Sequence, residues 1–323
     1  MKKRVLITRL IPEIGIELLK ERYDVDVFSG PQSMDRETLL QKIRAYDALV
    51  SLLSDRIDEQ VLAAGKNLKI VANYAVGYNN IDIPAAKRRN ILVTNTPGVL
   101  TNATGEIAFA LLITLTRRII AADQFTRDGK FIGWDPLLFL GDELKGKTAG
   151  ILGMGRIGLD MAFKCRAFGM SVIYHNRKRV SVDMEQKVDA CYVSFDQLLE
   201  RSDIISIHTP LTKDTRHLLG EESFQKMKRG VYVVNTSRGE IVDEAVLVKY
   251  LKSGKVKGAG LDVYEFEPAI AKEFFTFSNV VLLPHIGSAT IETRDKMSVM
   301  VAKNVISALE GEKPENLIPE LSD

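Results

Sequence analysis

The sequence predicts an α/β protein built of two doubly wound parallel-sheet domains. Three observations carry that expectation. Short apolar runs alternate with segments of helical spacing from residue 3 onward; the alternation restarts near residue 144 after a long apolar stretch; and the first loop of the restarted series holds three closely spaced glycines. Repeated strand and helix alternation folds most readily as a parallel sheet with crossover helices on both faces. The length of 323 residues suits two domains, and 46% hydrophobic content is enough for a core in each.

Residues 3–8 (KRVLIT) are a short apolar run after charges and read as a strand. Residues 12–22 place apolar side chains at helical spacing, with Pro12 suited to a first turn. Strands at 24–28 (DVDVF), 47–51 (DALVS) and 68–75 (LKIVANYA) then alternate with helices over 36–45 and 58–65. After NILVTNTPG at 90–98, residues 102–121 read as one long helix, apolar almost all round, therefore buried, and leading into the second domain. LKGKTAGILGMG at 144–155 opens the second series, which continues through SVIYH, DIISIHT, GVYVVNT, VKGAGLDV and NVVLLPH. Residues 289–310 are helical by spacing and too short for a domain, so they are expected to return to the first. The predicted domains are 1–98 with 288–323, and 99–287.

Composition narrows the function. With 44 Lys plus Arg against 42 Asp plus Glu, the net charge of +2 offers no large basic field for nucleic acid or an anionic membrane. Arg9, Glu13 and Glu17 interrupt any signal-peptide core, and no apolar run is long enough to span a bilayer. Cys165 and Cys191 sit in apolar or helix-like surroundings, which fits a reducing compartment, and no histidine pair has metal-ligand spacing. A cytoplasmic protein with a small-molecule partner and no metal is expected.

Gly153, Gly155 and Gly158 form G-x-G-x-x-G directly after a predicted strand and before the helix-like LDMAFKCRAFG. In that context the first glycine permits a tight turn, the second lets backbone amides approach a pyrophosphate, and the third lets the helix pack on the strand. Dinucleotide binding is predicted. At the end of the next strand, where a carboxylate would accept the ribose hydroxyls of NAD, stands Asn176, followed by Arg177, Lys178 and Arg179. Cations without a carboxylate suit a 2′-phosphate, so NADP(H) is the expected cofactor and NAD(H) the alternative.

A nicotinamide supplies hydride, so the protein must supply a proton and a cation that orients an anionic substrate. Of the four histidines, His175 lies beside the ribose-selecting loop, His217 in a polar turn, and His208 at a strand end where it could be a local hydrogen bonder. His285 follows the strand NVVLLP and so occupies the carboxyl edge of the second sheet, where ligands of open α/β sheets bind. Arg238, backed by a turn-permitting Gly239, and Glu267 also follow strand ends. An arginine forks onto a carboxylate, and a carboxylate beside an imidazole favours its charged form. Three such groups at successive strand ends suggest one site.

The chain resembles the D-2-hydroxyacid dehydrogenase family over almost its whole length, through LKGKTAGILGMGRIG at 144–158, HTPLTKDTRHLL at 208–219, MKRGVYVVNTSRGEIVDEAVL at 227–247, GAGLDVYEFEP at 258–268 and LLPHIGSAT at 282–290. The resemblance implies a flavodoxin-like substrate domain and a Rossmann cofactor domain, joined near 97–103 and 284–290. It implies an arginine, glutamate and histidine catalytic set in Arg238, Glu267 and His285, with the histidine as general acid. It implies cofactor contacts at Gly153, Gly155, Arg156, Ile157, Gly158, Asn176, Arg177, Lys178, His208, Thr209, Pro210, Thr215, Thr236, Asp262 and Gly287, with Asp262 on the nicotinamide amide. For substrate it implies backbone amides at Ala75, Val76 and Gly77, an apolar wall at Leu53, and Trp134, in GWDPLLFLG at 133–141, reaching the active site of a neighbouring subunit in a homodimer.

The likeness is greatest to glyoxylate/hydroxypyruvate reductases and 2-ketogluconate reductases. Phosphoglycerate is disfavoured, because Asn73 stands where phosphoglycerate dehydrogenases have an arginine and the chain ends at Asp323 without an added regulatory domain. Formate is disfavoured because formate dehydrogenases have glutamine at the place of Glu267. The expected activity is NADPH-dependent reduction of glyoxylate to glycolate and hydroxypyruvate to D-glycerate. Competing expectations are a 2-ketogluconate reductase, another D-2-hydroxyacid dehydrogenase, or a dinucleotide-sensing interaction protein, since the fold family includes transcriptional corepressors.

Overall fold

A computed structural model describes residues 2–30 and 33–322. The chain divides into two compact units, Met1–Leu100 with Ser288–Asp323, and Thr101–Gly287. The first begins β1 (Arg4–Ile7), α1 (Glu13–Lys20), β2 (Asp24–Val27), α2 (Arg36–Lys42), β3 (Ala48–Ser51), α3 (Glu59–Ala64), β4 (Ile70–Asn73), α4 (Ile83–Arg88) and β5 (Leu92–Thr94). The five strands are parallel in the order β2-β1-β3-β4-β5, with Val5 opposite Ala48 and Ala48 opposite Ile70. Strands β3 and β4 are buried along their whole length, because both faces of the sheet are covered. Asp35, Asp58 and Asp82 cap α2, α3 and α4 through their carboxylates. Pro12 is the N-cap residue of α1 and lies just outside its first turn.

The second unit runs α5 (Thr101–Thr116), α6 (Ile119–Arg127), β6 (Thr148–Leu152), α7 (Arg156–Ala167), β7 (Ser171–His175), α8 (Val182–Val188), β8 (Ala190–Tyr192), α9 (Phe195–Arg201), β9 (Ile204–Ile207), α10 (Glu221–Lys226), β10 (Val231–Asn235), α11 (Glu244–Lys252), β11 (Val256–Leu261) and β12 (Val280–Leu282). Its seven parallel strands are ordered β12-β11-β10-β9-β6-β7-β8. The order reverses at β6, whose following loop carries the glycines; that is the topological switch point at which open sheets bind ligands.

Two expectations are corrected here. The single helix over 102–121 is two helices, broken where Arg118 adopts the left-handed conformation (φ +55°). Only α5 is a core helix, with Leu111 and Leu112 buried against β10 and β11; α6 buries no residue. Strand β8 has only three residues, too few for a period, and its Cys191 is exposed, whereas Cys165 is buried in α7.

Helix α12 (Ile291–Glu310) belongs to the first unit and packs on α1 and β4. Beyond it, Leu317 forms an antiparallel bridge with Thr94 that covers the edge of β5. Among the described residues no helix is long and apolar enough to cross a membrane.

Candidate functional site

The glycine loop joins β6 to α7. Gly153 has φ +100°, and a Cβ there would lie 2.6 Å from the Thr209 nitrogen; a Cβ on Gly158 would lie 2.1 Å from the Gly153 oxygen. Protein packing therefore demands both glycines. Gly155 differs, since a Cβ there would meet no atom within 4 Å. Nothing in the protein's own packing requires a glycine here, and the open space leaves room for a ligand to approach the backbone. Gly155 is the N-cap of α7 and offers no side-chain cap, so the first amides of the helix, from Arg156 and Ile157 on, lie at the positive end of the helix dipole without a capping side chain, a setting suited to an anion. The loop is clamped to the end of β7: the Gly153 amide donates to the His175 carbonyl (3.0 Å) and the Met154 amide to Asn176 Oδ1 (2.6 Å). These residues fit a dinucleotide pyrophosphate.

Beyond β7, Arg177 and Lys178 are exposed and have no side-chain partner among the described residues, but Arg179 is forked onto Glu185, with both contacts at 2.7 Å. The expected run of three free cations is thus two. Asn176 serves the loop as much as any ligand, since its carboxamide oxygen accepts the Met154 amide.

On the other side of the glycine loop, His208 Nε2 is 2.8 Å from Ser206 Oγ, and burial pushes its imidazole down to about 3, leaving it neutral. The Thr209 carbonyl accepts the Ser237 hydroxyl. The Thr215 hydroxyl donates to the Pro210 carbonyl (2.7 Å) and accepts the Thr212 amide (2.7 Å), so it shapes the 210–215 turn. Thr236 Oγ1 is buried without a partner among the described residues, and a buried hydroxyl of that kind calls for a partner from outside the protein.

Three strand ends hold the charged set. Arg238 follows β10, and its Nη1 donates to the Ser237 carbonyl at 2.6 Å. Burial pulls its guanidinium down, against the charges of Glu267 and Glu240, which raise it. Asn235 fixes the loop by donating to the Arg238 carbonyl (2.8 Å) and accepting the Ser237 amide (3.0 Å). Gly239 is there for close approach, not for a tight turn: a Cβ would sit 1.8 Å from the Tyr264 carbonyl carbon. Glu267 follows β11; its Oε1 accepts the Tyr264 amide (3.0 Å) and its Oε2 lies 2.9 Å from His285 Nδ1. Burial pushes its carboxyl up, but the bond and charge of His285, the Tyr264 amide and Arg238 together hold it below the usual carboxylate range. His285 follows β12 with φ +56°, and the next two amides, of Ile286 and Gly287, each donate to buried Asp262 at 2.7 Å. The set is a cation, an imidazole and a carboxylate at the carboxyl edge of one sheet, an arrangement suited to binding an anion and delivering a proton.

In the first unit, the loop after β4 turns its carbonyls inward. Thr96 N donates to the Ala75 carbonyl (2.9 Å), Asn95 to that of Val76 (2.7 Å) and Asn73 to that of Gly77 (2.9 Å). The amides of Ala75, Val76 and Gly77 have no acceptor among the described residues, which is the donor pattern of an anion nest. Asn73 is fully buried and bonded to Ser51, Gly77 and Asn80, a brace for this loop. Leu53 is partly exposed on the turn after β3 that Asp55 holds by accepting the Leu52 amide.

Residues 109–287 match the family model described as D-isomer specific 2-hydroxyacid dehydrogenase, NAD binding domain. The chain is 50% identical over 322 residues to a glyoxylate reductase of Thermococcus litoralis, covering 98% of this chain and 97% of that one. The chain belongs to the D-isomer specific 2-hydroxyacid dehydrogenases. It is accordingly a nicotinamide-dinucleotide-dependent oxidoreductase. A solved glyoxylate reductase from Paecilomyes thermophila superposes with a TM-score of 0.89 at 35% identity, covering 99% of each chain. A solved NADPH-dependent glyoxylate/hydroxypyruvate reductase from Sinorhizobium meliloti, in complex with NADP and malonate, gives 0.87 at 31% identity, covering 99% of this chain and 98% of that one.

Sequence reading missed several residues that shape this dehydrogenase's site. Asn235 ends a strand with nothing to distinguish it from a solvated polar residue, and only its two loop bonds reveal its part. Glu244 and Glu265 cap each other's amides behind Arg238 and Glu267, and Glu265 also holds His217 at 2.6 Å. Trp134 is 84% exposed, as are Ile132 (98%), Leu137 (74%) and Phe131 (58%) around it.

Proposed function

We propose that this dehydrogenase reduces small 2-keto acids, glyoxylate and hydroxypyruvate first, with NADPH as the preferred reductant and NADH as the alternative. The observation that carries the reading is the His285 Nδ1 to Glu267 Oε2 contact of 2.9 Å at the edge of the dinucleotide-binding sheet. With Nδ1 donating to the glutamate, Nε2 is left to give a proton to the carbonyl oxygen as it becomes an alkoxide. Glu267, held ionised, keeps the imidazole oriented and balances its charge. Arg238 draws in the keto-acid anion and polarises its carbonyl. The nicotinamide, when bound, supplies the hydride. Gly155 and the α7 amides hold the pyrophosphate, Arg177 and Lys178 meet a 2′-phosphate, and the unpartnered Thr236 hydroxyl contacts the cofactor. The amides of Ala75, Val76 and Gly77 have the donor chemistry that a substrate carboxylate needs, and Leu53 is an apolar wall. The names and the NADP complex of the relatives support the same direction. A homodimer built on the Trp134 surface is part of this reading.

The test is the rate of NADPH and, separately, NADH oxidation with glyoxylate, hydroxypyruvate, 2-ketogluconate and pyruvate. Rapid NADPH turnover with the first two is expected. Faster turnover of 2-ketogluconate would move the assignment to sugar-acid reduction, and turnover with NADH alone would overturn the cofactor preference.

A further inference from the structure

The coenzyme part of the proposed function rests on cations after β7, and one of them is engaged by a residue outside that loop. Glu185 lies on α8, six residues beyond Arg179, with its side chain only 8% exposed. Arg179 meets it through a two-point fork, Nε to Oε1 and Nη2 to Oε2, both at 2.7 Å. The hydroxyl of Tyr174, a fully buried residue of β7, donates to the same Oε1 and in turn accepts the Val180 amide at 3.2 Å. This carboxylate therefore takes three donated bonds and is nearly buried, while the Arg179 end of the pair is 60% exposed. The neighbouring Arg177 and Lys178 are exposed and engage no side chain among the described residues. From this juxtaposition we propose that Glu185 determines coenzyme selectivity by withdrawing Arg179 from the set of cations a 2′-phosphate can meet.

The physical reason is charge bookkeeping. Three consecutive positions, 177 to 179, carry cations, and the fork neutralises one of them at short range. A dianionic 2′-phosphate binds according to the cations whose charge is not already matched. Glu185 thus sets NADPH affinity relative to NADH without touching either. It is a positioning residue, acting through Arg179.

The proposal builds on the dinucleotide reading, and its test separates the two. Equilibrium binding of NADPH and of NADH to the whole protein, without keto acid, gives the ratio of the two Kd values for the wild type, Glu185→Gln, Arg179→Ala and the double variant. Glu185→Gln leaves the Arg179 charge unmatched and is expected to shift the ratio towards NADPH by about threefold to tenfold, an effect that fades with added salt. Arg179→Ala uncovers the Glu185 carboxylate and is expected to shift the ratio towards NADH, whereas the double variant removes a neutral pair and is expected to lie within about twofold of wild type. A double variant whose ratio falls as far below wild type as that of Arg177→Ala would put Arg179 on the phosphate and overturn the proposal. So would a wild-type ratio left unchanged by Glu185→Gln. The double variant keeps the claim refutable if Glu185→Gln alone folds poorly. A wild-type ratio near one would overturn only the NADPH preference, because the role of Glu185 is read from the change on substitution.

Discussion

Asp262 holds His285 by the backbone. Its two carboxylate oxygens accept the amides of Ile286 and Gly287, each at 2.7 Å, directly after a histidine whose φ of +56° is one that a side-chain-bearing residue rarely adopts. Replacing Asp262 by Asn would turn one acceptor into a donor facing a donor. The variant should lose about 1–3 kcal/mol of stability, read by denaturant unfolding, and should lower kcat more than it raises KM.

His285→Ala should reduce turnover by about 10²-fold or more, the usual worth of a positioned acid. Coenzyme Kd should hardly change. Arg238→Ala should in addition raise the KM for keto acid, since a cation for the carboxylate is gone. Steady-state kinetics with glyoxylate and a separate coenzyme titration distinguish the two; unaltered turnover in His285→Ala would remove the proton-donor assignment.

Gly239→Ala forces a methyl group to within 1.8 Å of the Tyr264 carbonyl carbon, so either the Arg238 loop or the Tyr264–Glu267 turn must move. A cost of about 1–3 kcal/mol is expected. Activity should fall further than stability does, because both segments carry the charged set. Thermal unfolding beside kcat/KM measures the two losses.

The Glu185 carboxyl is held down to about 2, chiefly by Arg179 and then by Tyr174, from its ordinary 4.5. A depressed carboxylate stabilises the fold above its unfolded pKa and loses that contribution as pH falls through the folded one. The Tm difference between wild type and Glu185→Gln should therefore be constant at neutral pH and close progressively between pH 4.5 and about 2.

Ile132→Asp combined with Trp134→Ala would place a charge in the exposed apolar stretch. Sedimentation velocity should show the proposed dimer giving way to monomer at concentrations where the wild type is associated. A wild type that sediments as a monomer would remove the dimer from the functional reading.

Much of the fold is legible because strand-period runs and glycine punctuation are local. Residues 144–158 announce a strand, a turn and a helix whatever surrounds them, and Arg238, Glu267 and His285 are recognisable because each follows an apolar strand. The misses share the opposite property. The three residues of β8 show no period, and Arg118 breaks a helix without the glycine or proline that would signal it. The capture of Arg179 by Glu185 and the buttressing by Asn235 are hydrogen-bond assignments that depend on which groups the fold brings face to face. A run of three basic residues reads as three free charges until its partner is seen.

Because α12 and the bridge at Leu317 complete the first unit while all of Thr101–Gly287 intervenes, the two units are unequal in how they are made. The seven-stranded unit is one continuous stretch of chain, whereas the sheet of the first hundred residues is covered by a helix that the chain supplies only after residue 290. A gene fragment cut at Thr101 and Gly287 yields one uninterrupted polypeptide. Isolating the other unit requires a new peptide link from Leu100 to Ser288, which makes it the natural recipient into which different coenzyme modules could be spliced.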